Sequence, residues 1–367
     1  MKTLSRVAAV ASGLALTAAA TVGLATSASA YSTTPNGPLS WTPDGPVHAV
    51  LNAGGVTYVG GAFTGGVAEI NSSTGAVVWN GNANGDVRAL ALSSDGSHLI
   101  IGGAFTTVAG ATHKKLASLG ASSGAVVPTW KAAAGGTVRD IVVSGSTAYF
   151  GGIFTRQNGV VQGGLGAVNV DTGKVVPAFN ASTNRSVFGL AVSGSRLYIA
   201  GNYTAVNGSN RNSLSSWNLA TNSLDEWNPA RTCSGCDQYW DVAVDANTAY
   251  VGSSGPGGRL GAYDITSGAS RFRTIAADGD VQALTISGGL VYAGGHFATI
   301  AGQPRKILAA VNESTGALAP FSANFVTSYP GIWALDARSS TLYVGGNFTA
   351  AGPTPPKRFP YLAFFPM

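Results

Sequence analysis

The sequence predicts an all-β chain, a seven-bladed β-propeller of four-stranded blades. Three observations carry that prediction. One glycine-rich phrase recurs at a near-constant period, four short strand-like runs fill each period, and no 3.6-residue apolar periodicity occurs beyond the first thirty residues.

The phrase begins as Tyr58-Val59-Gly60-Gly61-Ala62-Phe63-Thr64. It returns around Phe105, Phe154, Tyr203, Phe297 and Phe348, so the aromatic positions lie 42, 49, 49, 94 and 51 residues apart. The gap of 94 is two periods, and Tyr250-Val251-Gly252-Ser253-Ser254 is the decayed copy inside it. Seven repeats result. Each starts with a run such as Val87–Leu92, continues through the glycine phrase, and adds runs such as Leu165–Val170 and Lys174–Phe179. These are short, β-branched or aromatic, and bounded by Gly, Ser, Asn and Asp, which is strand-and-hairpin chemistry. The Gly-Gly pair sits in a strand with no helix behind it, so it is expected to permit a bulge or a close approach of blades rather than to cradle phosphate. The Ser73-Thr74-Gly75, Asp171-Thr172-Gly173 and Ser314-Thr315-Gly316 turns are explained by turn chemistry alone.

The ends of the chain predict how the ring closes. The seventh repeat stops at its third run, Tyr361–Phe365, while the segment 37–43 around Trp41 reads like the fourth run that ends in Trp130. The N-terminal segment is therefore expected to complete the last blade and remove an open edge. Ahead of it, residues 1–30 carry Lys2, Arg6, an apolar stretch and Ala28-Ser29-Ala30. That is the layout of a signal peptide cleaved after Ala30, and the expected location is outside the cell.

Composition narrows the function. Only 10% of the 367 residues are charged, which excludes disorder and coiled coils. Without Lys2 and Arg6, 19 basic residues face 16 acidic ones, a net of +3, far from a nucleic-acid footprint. No later run suits membrane insertion. No metalloprotease, nucleophile-elbow or nucleotide-loop motif is present, and nothing implies a metal or cofactor. Cys233 and Cys236 are expected to form a small disulfide in an oxidising compartment.

Carried six times with one decayed copy over 37–367, the phrase resembles the delta-60, or YVGGxFT, β-propeller repeat of secreted actinobacterial proteins. The resemblance implies an extracellular binding or recognition module, and it offers no catalytic motif to carry over.

Aligning the seven first runs exposes one variable position: His48, Arg88, Arg139, Phe188, Trp240, Gln282 and Trp333. First strands line a propeller's axis, so these side chains should ring one mouth of the channel. Two Trp, a Phe, two Arg, a His and a Gln can stack on a sugar or clamp an anion. The alternative is that they wedge between blades, the arginines paired to Asp86, Asp140 or Asp241. A second set, His113, Gln162, Arg211 and Arg305 with Lys114, Lys115, Lys306, Lys357 and Arg358, suggests a basic fringe. The expected function is non-enzymatic binding of a carbohydrate, a cell-surface polymer or an extracellular protein. The alternatives are a hydrolase or lyase with its site at the channel mouth, which an Asp–Asp or Asp–His cluster in the channel would favour, and a structural subunit.

Overall fold

Alternating burial sets up the first strand of every repeat: in Val87–Leu92, Val87, Ala89 and Ala91 are buried while Arg88, Leu90 and Leu92 are half-buried. The computed structural model describes residues 32–37, 39–230, 238–255, 257–276, 278–338 and 340–367, without the side chains of 328–330. The expected signal peptide and the Cys233–Cys236 pair lie outside the described residues.

Seven antiparallel sheets follow in chain order, each running first to second to third strand. Their first strands are Val47–Asn52, Val87–Leu92, Thr137–Ser144, Val187–Ser193, Tyr239–Val244, Val281–Ser287 and the later part of Asn324–Arg338. Fourth strands are complete in blades 1 and 5 (Val77–Asn80 and Ser270–Ile275). In blades 2, 3 and 6 the fourth strand shrinks to one bridge, at Val126, Val175 and Leu318. No helix occurs among the described residues.

The fourth strand's aromatic residue locks one blade to the next. Trp79, Trp130 and Trp227 donate their indole N–H groups to Ala121 O, Val170 O and Asp264 O of the following blade, at 2.9–3.0 Å. Each ring lies against the glycine of the next blade's turn. At Gly124, whose φ is +65°, an added Cβ would strike the Trp79 ring. The equivalent turns of blades 1, 3 and 6 are held by Asn71, Asn169 and Asn312, whose side-chain oxygens accept the Thr74, Thr172 and Thr315 N–H groups.

The N-terminal segment closes the ring. In blades 2, 3, 4 and 6 one backbone bond defines the fourth strand: Val127 N to Ser118 O, Val176 N to Ala167 O, Asp225 N to Ser216 O, and Ala319 N to Ala310 O. Asn36 N donates to Phe364 O at the equivalent place in blade 7, at 2.7 Å. Three residues later Leu39, not Trp41, occupies the seat that Trp130 fills in its blade, lying against Gly75 of blade 1. Trp41 packs edge-on against Phe63, with ring centroids 5.5 Å apart. The closure is the expected one, with its register two residues away from the Trp41–Trp130 alignment.

Both glycines of the repeated phrase have a steric role. A Cβ on the first (Gly60, Gly102, Gly151, Gly252, Gly294 or Gly345) would press on Val87, Val138, Val187, Val281, Ile332 or Val47 of the neighbouring blade. A Cβ on the second would meet the backbone that opens its own first strand, as Gly61 meets Pro46 O. The constant phrase thus sets blade spacing and permits an irregularity in the first strand.

Candidate functional site

That irregularity builds the site. In the blade-1 ladder Val47 pairs with Gly61 and Ala49 with Gly60, leaving His48 as the extra residue of a β-bulge. The same break leaves out Arg88, Arg139, Phe188, Trp240, Gln282 and Trp333 in the other six blades. A bulge re-aims its side chain, and these seven residues alone line one cavity, of about 60 Å³. A second cavity of about 160 Å³ borders the same seven and adds Asp140, Asp241 and small or aliphatic residues of the first strands. The ring therefore separates an outer mouth from an inner channel. Gln282 is buried, and the other six are half-buried.

The ring has two unlike arcs. On one, Phe188 lies 4.9 Å from Trp240, Trp240 lies 6.4 Å from Trp333, and Trp333 meets His48 edge-on at 5.7 Å. Trp240 also donates its indole N–H to Asp280 at 3.3 Å. On the other arc Asp86 is shared. One oxygen lies 2.6 Å from His48 Nδ1 and the other 2.5 Å from the Arg88 guanidinium. Burial pushes the Asp86 carboxyl up, but the His48 bond and the Arg88 charge outweigh it and hold the pKa below the usual range.

Arg139 differs from Arg88. Its guanidinium lies over Phe188 and Trp240, at 5.5 and 5.9 Å from the ring centroids, and meets no carboxylate among the described residues. Burial first, and repulsion from Arg88 second, lower its pKa to about 10. The sequence alternative of arginines paired to first-strand carboxylates thus holds for Arg88 with Asp86 and fails for Arg139. Neither Asp140 nor Asp241 takes an arginine. Asp140 accepts Ile141 N and, across to blade 4, Leu190 N; Asp241 accepts Val242 N and, across to blade 6, Leu284 N. These carboxylates cap unpaired inner-edge N–H groups of the first strands. Burial among the seven blades raises Asp140 to about 8, the Asp241 charge adding to it, and raises Asp241 to about 6.

Of the expected basic fringe, Lys114, Lys306, Lys357 and Arg358 are exposed, while the His113, Gln162, Arg211 and Arg305 set turns inward. Arg211 donates to Asp225 O and Asn210 O, Arg305 to Phe321 O, and Gln162 to Ala181 O, while His113 is buried. Three of these side chains tie the loop after the second strand to fourth-strand carbonyls, which is why long hydrogen-bonding residues recur there. Among the described residues no group of three or more His, Cys, Asp or Glu could hold a metal ion. Among the described residues no helix is long and apolar enough to cross a membrane.

Comparison with known proteins shows the class of fold. No family model and no curated protein matches the chain. Among solved structures, U3-55K matches with a TM-score of 0.64 at 12% identity, over 90% of this chain and all of that one. The WD40 β-propeller domain of Doa1 matches with a TM-score of 0.60 at 15% identity, over 91% and 95%. The computationally designed Ika8 protein matches with a TM-score of 0.56 at 11% identity, over 92% and 100%. The chain is a β-propeller.

Proposed function

We propose that this propeller is a secreted binding protein whose channel mouth takes a carbohydrate of the cell surface or its surroundings. One observation carries the reading. A constant glycine phrase holds seven bulges, yet the residue at each bulge is variable and, in all seven blades, aromatic or hydrogen-bonding on a long side chain. A position serving only to fill the axis would be occupied by small or apolar groups, as the next position is in five blades by Ala49, Ala89, Gly189, Ala283 and Ala334, with Asp140 and Asp241 in the other two. The half-buried faces of Phe188, Trp240 and Trp333 suit the apolar face of a sugar. The signal-peptide layout and the likeness to delta-60 repeats support an extracellular setting.

Asp140 and Asp241 in the inner channel favour a second reading, a hydrolase or lyase, because burial separates their proton affinities. Each is already committed to two main-chain N–H groups, which is why binding is preferred. A glycan array probed with the purified protein, beside a polysaccharide degradation assay, tests both. The expected result is binding without cleavage, weakened by about 1–3 kcal/mol in Trp240→Ala. Cleavage abolished in Asp140→Asn would overturn the binding reading.

A further inference from the structure

We infer that the ligand of the mouth is an acidic sugar, a single ring bearing a carboxylate, and that Arg139 selects its charge. The inference rests on the proposal that the mouth is a ligand site, and it names what that site would prefer.

Arg139 is the odd cation of the ring. Arg88 is neutralised by Asp86, and elsewhere Arg196 pairs with Asp225 and Arg271 with Asp264. Arg139 has no hydrogen bond or ion pair among the described residues, although it projects into a site enclosed by seven blades. The carboxylate next to it in sequence, Asp140, spends its oxygens on Ile141 N and Leu190 N. A cation so placed loses hydration and is repelled by Arg88. The Asp86 charge and the two aromatic faces offset part of that cost, but no hydrogen bond or ion pair among the described residues completes the offset, which leaves Arg139 suited to an anion from outside.

The geometry defines what that would be. The Arg139 guanidinium carbon lies over the rings of Phe188 and Trp240, and the side chain lines the cavity with a planar fork of N–H donors that no described residue accepts. That fork matches the two oxygens of a carboxylate, in a site where the charge is poorly screened. Trp333, edge to face with Trp240 on the side away from Arg139, offers apolar surface for the ring that carries the carboxylate. The seven residues line cavities of about 60 and 160 Å³, a scale that suits one sugar ring. A terminal uronic acid or a free one fits; a neutral sugar leaves Arg139 as costly as before.

Calorimetric titration of the full mature chain with sodium glucuronate, glucose and inorganic phosphate tests this, using wild type, Arg139→Gln and Trp333→Ala. Glucuronate is expected to bind at least tenfold more tightly than glucose, and that advantage should fall below threefold in Arg139→Gln. The same variant should melt at or above the wild-type temperature, because no partner is lost. Glucose binding as tightly as glucuronate, both weakened by Trp333→Ala, would overturn the charge inference and leave the mouth reading standing. Phosphate binding as tightly as glucuronate would overturn the assignment to a carboxylate. Binding of neither sugar would overturn the inference, and the glycan array would then decide the mouth reading on its own. A clear drop in melting temperature with unchanged glucuronate affinity would return Arg139 to packing.

Discussion

Trp130 and Trp333 are the same residue type in two different situations, and their contrast separates scaffold from site. Trp130 is fully buried at a blade junction, its indole N–H satisfied by Val170 O and its face against Gly173 of the next blade. Trp333 is half-buried in the channel ring, meets His48 and Trp240 edge to face, and lines the cavity. The blade seat stays large and apolar, as Trp79, Trp227, Phe272 and, at the seam, Leu39, whereas the ring position changes chemistry from blade to blade. Uniformity at one radius and variety at another is what a constant frame around a specific surface produces.

The largest effect on that frame should come from its seam. Deleting residues 32–43 removes the Asn36 bond to Phe364 and empties the Leu39 seat, exposing the outer edge of the last blade. Scanning calorimetry with size-exclusion chromatography should show a lower melting temperature and association; an equally stable monomer would break the closure argument. Next, Trp130→Ala should cost about 3–5 kcal/mol in urea unfolding, because the rigid seat cannot collapse around the cavity. A loss below about 1 kcal/mol would erase the distinction between seat and ring.

A smaller effect should appear with pH. Asp140 and Asp241, raised to about 8 and about 6, hold their protons more tightly in the folded chain than in the unfolded one. The folded state therefore binds more protons between about pH 4 and 8, and stability should fall as pH rises through that window. The melting temperature should decline by a few degrees from pH 5 to 8, and Asp140→Asn should flatten most of that slope. A wild-type melting temperature that rises over the same interval would show that the two N–H bonds to each carboxylate outweigh its burial.

Much of this was legible in the sequence because repetition makes a propeller self-aligning. The seven ring residues could be named by superposing first strands, and they line one cavity together. What the alignment could not supply was contact between blades. Nothing in the spacing says that Asp86 serves both His48 and Arg88, or that Arg139 turns to Phe188 and Trp240 instead of a carboxylate. Leu39 escaped notice for a related reason. Chemical similarity aligned Trp41 with Trp130, but the spacing to the first strand, eight residues in both Leu39–Val47 and Trp130–Val138, is what positions the seat. Arg211 and Arg305 looked like a charged rim because a sequence shows charge and not the carbonyls it reaches.

The most direct test of the central claim is glycan binding by the double variant Trp240→Ala/Trp333→Ala, with its melting temperature taken on the same sample. Both residues belong to the ring, and neither lies at a blade seat. A folded propeller melting within a few degrees of wild type and depleted of binding is the outcome expected from a ligand site held on a separate frame. A strongly destabilised propeller that binds as wild type does would contradict it and make the ring mortar between blades.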